Sequence, residues 1–169
     1  FRDAVRHEVK IGADFIKIMA TGGFFTPNDS PEDKQLSDEE MAAIIETAHA
    51  LNRTVTAHAY TGDLITTLAE LDIDGIEHAS LIDKGTIRLL EEKDIYVVPT
   101  LCPYDEIVLL DEEKLAEKSP EFQRKLRHYR DRLVESRRML FESSIRFGYG
   151  TDLVVGYQNY ECGREYSAW

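Results

Sequence analysis

Four residues whose side chains can bind metals or carry protons lie toward the C-terminal ends of short apolar runs in this sequence. They are Lys17, His58, His78 and Asp152, and the runs cover residues 15–19, 54–59, 75–79 and 147–152. Runs of this length, rich in apolar and β-branched residues, are typical of β-strands. Parallel strands in an α/β barrel end on the same face, so residues far apart in the sequence meet there. The placement of the four residues therefore predicts a metal-dependent hydrolytic site on the rim of a barrel.

The two histidines are the stronger part of this pattern. Neutral imidazole is a common zinc ligand, and His58 and His78 come from neighbouring predicted strands. Asp152 could bind metal, accept a proton from water or cap the segment that follows it. Taken singly, each has a structural alternative, namely a core histidine bonded to backbone or an aspartate in a turn. Tyr60 and Tyr104 near the same rim are more typical of packing than of substrate contact.

Lys17 is unusual because it lies within an apolar run. Burial of an ammonium group costs free energy unless the group is paired or its pKa falls. A neutral lysine amine can react with carbon dioxide to form a carbamate, whose two oxygens can bridge two divalent ions. The alternative, favoured for Lys17 viewed alone, is a lysine that reaches a carboxylate or extends its ammonium to water.

The segments between the runs have the patterns of helices. Ser37 and Glu40 form a capping box that predicts a helix through about Leu51. The charged segment 105–146 predicts a short helix and then a long one, with the break near Ser119 and Pro120. Further helices are predicted over 2–12, 61–71, 82–93 and from 161 onward, and one more strand over 95–101.

This alternation predicts an α/β fold with a parallel sheet and helical crossovers. We interpret residues 1–169 as a single domain that forms part of a (β/α)8 barrel with outer helices. Only five strands are predicted, and a complete eight-stranded barrel needs about 250 residues.

Composition excludes several classes of function. The net charge of −12 argues against a nucleic-acid partner, whose phosphates would be repelled. Two cysteines, Cys102 and Cys162, provide neither a disulfide framework nor a cysteine-based zinc cluster. We find no secretory signal pattern and no apolar run of about eighteen residues, so no membrane partner is expected. A cytoplasmic location is favoured, with secretion left open because an N-terminal segment is expected to be missing.

As a set, the four motifs resemble those of the amidohydrolase superfamily, and in particular its prolidase-like and imidazolonepropionase-like branch. The matching segments are GADFIKIMATGG at 12–23, TAHA at 56–59, GIEHA at 75–79 and GTD at 150–152. Any one of these motifs is weak, whereas the set is specific and the resemblance extends over nearly the whole chain.

The resemblance implies a distorted barrel with two divalent metal ions, of which zinc is the expected metal. Lys17 would be the carboxylated ligand that bridges the ions, and His58 and His78 would hold the second ion. Asp152 would bind the first ion and act as the catalytic proton carrier. A metal-bound hydroxide would hydrolyse the C–N bond of a dipeptide or an N-acyl amino acid, as in a dipeptidase or carboxypeptidase. The full-length enzyme would be a homo-oligomer.

One family feature has no counterpart here. The paired histidines of the first barrel strand, separated by one residue, are missing, since His7, His49 and His128 have no histidine two positions away. We therefore interpret the chain as barrel strands four to eight, without the N-terminal strands and the small β-domain. We expect His58 and His78 to face one another and to hold at most one metal ion, weakly.

Two alternatives stay open at this point. A catalytically incomplete half-barrel could bind a small molecule or complement another subunit through its exposed sheet edge. The same scaffold could also carry out cyclic-amide hydrolysis or deamination, because fold and metal site do not fix the substrate.

Overall fold

The structure, a computed structural model, describes residues 1–24, 26, 28–152 and 163–168. Its centre is a parallel sheet whose four strands lie in the order β1-β2-β3-β4. Neighbouring strands in the sheet are also consecutive in the chain, so each crossover advances the sheet by one strand, as in a barrel wall. The strands are β1 (Ile16–Met19), β2 (Val55–Thr61), β3 (Gly75–Leu81) and β4 (Tyr96–Val98).

The helices begin and end where local chemistry favours it. At α2 the Ser37 hydroxyl accepts from the Glu40 amide at 3.3 Å, and the Glu40 carboxylate accepts from the Ser37 amide at 2.8 Å, which confirms the capping box. At α1 the chain stops at Gly12, whose φ of 110° favours glycine. The helices are α1 (Arg2–Ile11), α2 (Asp38–Ala50), α3 (Gly62–Glu70), α4 (Lys84–Glu92), α5 (Leu101–Val108), α6 (Glu112–Ala116), α7 (Pro120–Phe141) and α8 (Arg164–Ala168).

The two faces of the sheet differ in character. The outer face is apolar and packs against the helices to form the main core, which includes Ile18, Val55 and Ile76. The inner face carries a polar row in which Lys17, Thr56 and Glu77 lie side by side on three strands. Polar side chains on the inner face are available for chemistry, because the apolar outer face supplies the packing.

A second apolar cluster lies beyond the carboxyl ends of the strands. It joins the rim of the sheet to α5, α6 and α7, so these helices cover one side of the rim. Its buried members are Phe24, Tyr60, Leu81, Tyr104, Leu115, Leu126, Tyr129 and Leu133. Among the helices of the described residues, none combines the length and apolar content needed to cross a bilayer.

The predicted strand over 147–152 is limited to a single residue bridge in the structure. Phe147 forms one isolated parallel bridge with Val97, and the Gly148 amide donates to the Val97 carbonyl at 2.9 Å. A Cβ on Gly148 or Gly150 would come within 2.9 Å or 2.7 Å of the Val98 side chain, so both glycines allow close approach to β4. The segment therefore lies beside β4, where a fifth strand would continue the sheet, but glycine offers no side chain to stabilise longer pairing.

Candidate active site

The structure brings the two predicted histidines together on β2 and β3, three residues before each strand ends rather than at the end itself. The ring centroids of His58 and His78 are 4.6 Å apart, with an interplanar angle of 79°. Both side chains are buried, with relative exposures of 7% and 2%. The expectation that the two imidazoles face one another is therefore confirmed.

This arrangement requires a break in the alternation of β3. Side chains alternate between the faces of a strand, and since Ile76 packs in the outer core and Glu77 lies on the inner face, His78 would otherwise point outward. His78 and the following Ala79 instead have left-handed φ values of 75° and 51°. The pairing with β2 shifts at the same place, between Ala59 and Thr61. The turned backbone brings the His78 ring against His58.

The hydrogen bonds of the pair leave one unprotonated nitrogen on each neutral ring. His58 Nε2 lies 3.3 Å from the Gly22 carbonyl, which can only accept, so the lone pair of the neutral ring stays on Nδ1. His78 Nδ1 lies 2.6 Å from the Thr100 hydroxyl, which can donate or accept. If Nδ1 donates, the lone pair of His78 lies on Nε2.

Burial also keeps both rings neutral. It lowers the pKa of His58, with the Gly22 carbonyl acting in the opposite direction, and lowers the pKa of His78 well below the ordinary histidine value. For His78, the charges of His58 and Lys17 lower the pKa further. Neutral imidazole is the form that binds metal ions.

Two tyrosines form an aromatic wall around the pair. Tyr60 stacks on His78 at 5.1 Å between centroids, and the Tyr104 hydroxyl donates to the Tyr60 hydroxyl at 2.6 Å. Both tyrosines are buried in the second apolar cluster, which agrees with the packing role expected from the sequence. Burial is the main cause that raises the pKa of each phenol, so both stay protonated at neutral pH.

Lys17 lies on the inner face of β1 and contacts a carboxylate. Its Nζ is 3.6 Å from Glu77 Oε2, and 41% of its side chain is exposed. Glu77 also accepts from the Thr56 hydroxyl at 3.3 Å and pairs in register with His58. This contact corresponds to the lysine–carboxylate alternative that the sequence left open. Glu77 stands within the GIEHA motif, but the sequence did not indicate a partner for it.

Asp152 lies at the same rim and is exposed. Its negative charge acts to raise the pKa of His58, Tyr60 and Tyr104, so the carboxylate lies within electrostatic range of all three. Like His78 and Ala79, it has a left-handed backbone, with φ of 46°. Lys17 and Asp152 are thus both within electrostatic range of His58, and Lys17 also of His78.

His58 and His78 fit part of a metal site. Two neutral imidazoles with one unprotonated nitrogen each suit one divalent ion such as zinc, which takes nitrogen ligands in its sites. Within 1–24, 26, 28–152 and 163–168, however, histidine, cysteine, aspartate and glutamate form no metal-binding group of three or more. In this part of the chain His58 and His78 therefore supply two ligands for one ion, and water or other groups would complete its coordination.

The neutral histidine pair predicts how stability depends on pH. Because folding lowers both pKa values below 6.5, the unfolded chain binds protons that the folded protein excludes. The free energy of unfolding should hence fall as pH drops from about 7.5 to about 5.5, at up to about 1.4 kcal/mol per pH unit for each imidazole. Urea unfolding across this range would measure the slope. His58→Gln and His78→Gln should flatten it, whereas His7→Gln, at an exposed helical position, should not.

Known proteins are similar to this chain in sequence and in fold. Ochratoxinase from Aspergillus niger is 30% identical over 155 residues, which cover 92% of this chain and 32% of that protein. A prolidase solved in complex with N-methylphosphonate-L-proline is 36% identical, with a TM-score of 0.77 over 90% of this chain and 37% of that one. A solved amidohydrolase is 35% identical, with a TM-score of 0.83 over 99% of this chain and 40% of that one.

The chain thus spans about a third of the length of the ochratoxinase it matches. The similarity to barrel enzymes extends over almost all of its residues, including every strand of the sheet. Residues 2–165 match the amidohydrolase family, and the chain belongs to that family.

Proposed function

We propose that the protein of which this chain forms a part hydrolyses an amide or peptide C–N bond with the help of divalent metal ions. The observation that carries the proposal is the buried, neutral pair of His58 and His78 on adjacent parallel strands. Membership of the amidohydrolase family supports the reaction class.

The names of the relatives support a substrate with an amide next to a free carboxylate. One solved relative is a prolidase that binds N-methylphosphonate-L-proline, an N-substituted amino acid with that carboxylate. We infer a dipeptide or an N-acyl amino acid as substrate, and a homo-oligomer as the state of the whole enzyme. Both inferences go beyond this chain, which covers 37% of that prolidase.

In this proposal the residues of the site divide metal binding and proton transfer between them. His58 and His78 hold one ion, each through the nitrogen that its hydrogen bond leaves unprotonated. Lys17 and Asp152 contribute to the other ion. Bound divalent ions polarise a carbonyl and acidify water at neutral pH. Asp152 accepts the proton of the attacking water and delivers it to the leaving amine, for which its exposed position on the rim is suitable.

Lys17 requires a change of partner in this scheme. Its ammonium is paired with Glu77, and a carbamate on the same nitrogen would place a negative charge beside that carboxylate. We infer that Lys17 is a Glu77-paired ammonium without metal. With zinc present, its amine would lose its proton to solvent and add carbon dioxide, and the resulting carbamate would bind the metal, whose charge would offset the added negative charge.

A half-barrel without catalysis is the second candidate. It is favoured by the lack of a third neighbouring metal ligand in the described part of the chain. It is also favoured by the exposure of Phe15 and Met19 along β1, the edge strand of the sheet. Such a module would bind a small molecule or a partner chain and would have no use for metal at His58.

Zinc binding separates these two candidates. We expect the purified chain to bind one zinc ion weakly in a calorimetric titration, because only the imidazole pair is in place. His58→Ala and His78→Ala should each abolish the binding, while His7→Ala should leave it unchanged. Zinc binding that survives His58→Ala would contradict the proposed site, and no binding at all would contradict it and favour the binding module.

The state of Lys17 can be observed by carbon-13 NMR in labelled bicarbonate. A carbamate resonance should appear when zinc is added to the whole protein and should be absent without zinc. Lys17→Arg should remove it, whereas Lys34→Arg, at a lysine paired with Asp38 on the surface, should retain it. A resonance that persists in Lys17→Arg, or none in the zinc-loaded protein, would refute a carbamate at Lys17.

Hydrolysis itself is best tested on the whole, zinc-loaded protein. A set of Xaa-Pro dipeptides, N-acyl amino acids and cyclic amides would distinguish the proposed reaction from cyclic-amide hydrolysis on the same scaffold. Asp152→Asn should lower kcat by about 10²- to 10⁴-fold, since it removes the proton carrier and a ligand of the other ion but leaves His58 and His78 in place. Asp131→Asn, on the exposed side of α7, is the matched control. Full activity in Asp152→Asn would exclude the proton-transfer role.

A further inference from the structure

Thr100 is held in an unusual conformation next to His78. It is buried, and its φ of 47° is left-handed, which is a rare value for a β-branched residue. Its hydroxyl lies 2.6 Å from His78 Nδ1. Strained backbone of this kind persists only where the surroundings enforce it, and it concentrates at functional sites. The question is therefore what holds Thr100 in place.

The residues on both sides of Thr100 are constrained. Pro99 precedes it, and the proline ring fixes the backbone there. Leu101 and Cys102 follow it, and their amides donate to the two carboxylate oxygens of Glu165, each at 2.8 Å. These are the first amides of α5, so Glu165 serves as a cap for a helix that begins more than sixty residues earlier in the chain.

Glu165 is suited to this task by its burial and its charge. It has a relative exposure of 0%, and it lies in α8, which packs against α5. A buried carboxylate that accepts two amide hydrogens at a helix N-terminus forms charge-assisted bonds aligned with the helix dipole. Movement of Glu165 would release the turn that carries Thr100.

We propose that Thr100 and Glu165 are positioning residues for His78. Thr100 accepts a hydrogen bond from His78 Nδ1–H, which fixes the ring orientation and leaves the Nε2 lone pair for a metal ion. Glu165 acts through Thr100, because it holds the two amides that follow it. The proposal rests on the metal-binding role of His78, but the tautomer it assigns can be measured without metal.

Nitrogen-15 NMR of the metal-free protein near pH 7.5 tests the assignment first. The His78 ring should carry its proton on Nδ1 in the unsubstituted protein and in Thr100→Ser, which keeps the hydroxyl. Thr100→Val has nearly the same shape but no acceptor, so the proton should move at least partly to Nε2. Thr47→Val is the matched control, because the buried Thr47 hydroxyl bonds to the Ala43 carbonyl at 2.6 Å in α2.

Zinc affinity measured by titration tests the consequence for the site. Thr100→Val and Glu165→Gln should each weaken zinc binding by about 10-fold or more, the usual effect of losing the partner of a metal-binding histidine. Glutamine replaces one of the two accepting oxygens by an NH2 donor, so it cannot reproduce both hydrogen bonds from the α5 amides. Glu91→Gln is the control, since Glu91 accepts from the Ser144 amide at 2.7 Å on the surface. The double variant should lose little more than either single variant, because both act through one hydrogen bond.

The outcomes distinguish this proposal from the proposed function. A His78 ring protonated on Nε2 in the unsubstituted protein would overturn the positioning role of Thr100, whatever the zinc result. The normal tautomer together with unchanged zinc affinity in Glu165→Gln would overturn the role of Glu165. If the unsubstituted protein binds no zinc, the metal site fails, while the tautomer measurement still decides whether Thr100 orients His78.

Discussion

The left-handed backbone at His78 and Ala79 is the feature on which the site depends. Without it, strict alternation along β3 would send the His78 ring to the outer face, into the core, and His58 would stand alone on the rim. Residues in such conformations cost of order 1–3 kcal/mol each, so the surrounding structure must oppose their relaxation. The stacked Tyr60 ring, the Thr100 hydroxyl and the apolar cluster under α7 all contact this part of β3 or its side chains. In α7 the buried Ser136 hydroxyl donates to the Ile82 carbonyl at 2.9 Å, which ties the helix to the end of the same strand.

Burial has opposite consequences on the two sides of the sheet. The outer face has only apolar groups to bury, so burial stabilises the fold without restricting chemistry. At the rim the same burial removes the two imidazoles from water. This lowers the pKa of both rings, so each keeps one unprotonated nitrogen. Lys17 and Glu77 on the inner face keep partial exposure and pair with each other, so their charges remain compensated. The neutral imidazoles are thus more deeply buried than the charged groups of the same short sheet.

Much of the scaffold could be predicted because its determinants are local. The capping box at Ser37, the glycine at the end of α1 and the start of α7 after Ser119 each depend on residues within a few positions of one another. The strand over 95–101 was predicted too long, since Pro99 ends the pairing and α5 begins at Leu101. The predicted strand at 147–152 is similarly limited to one bridge. In both regions the local pattern identifies an extended chain, but it does not show how many residues pair with the neighbouring strand.

The parts of the site that were not predicted depend on contacts across long stretches of sequence. Nothing near Thr100 indicates a left-handed residue bonded to a histidine 22 positions earlier. The Glu165 carboxylate and the Leu101 amide are separated by 64 positions, and a glutamate in a polar segment gives no local sign that it will be fully buried. A carboxylate is buried completely only when hydrogen bonds replace its hydration, and the α5 amides provide that replacement. The burial of Glu165 and the order of α5 therefore depend on each other, so a change in α8 should be transmitted through Thr100 to the orientation of His78.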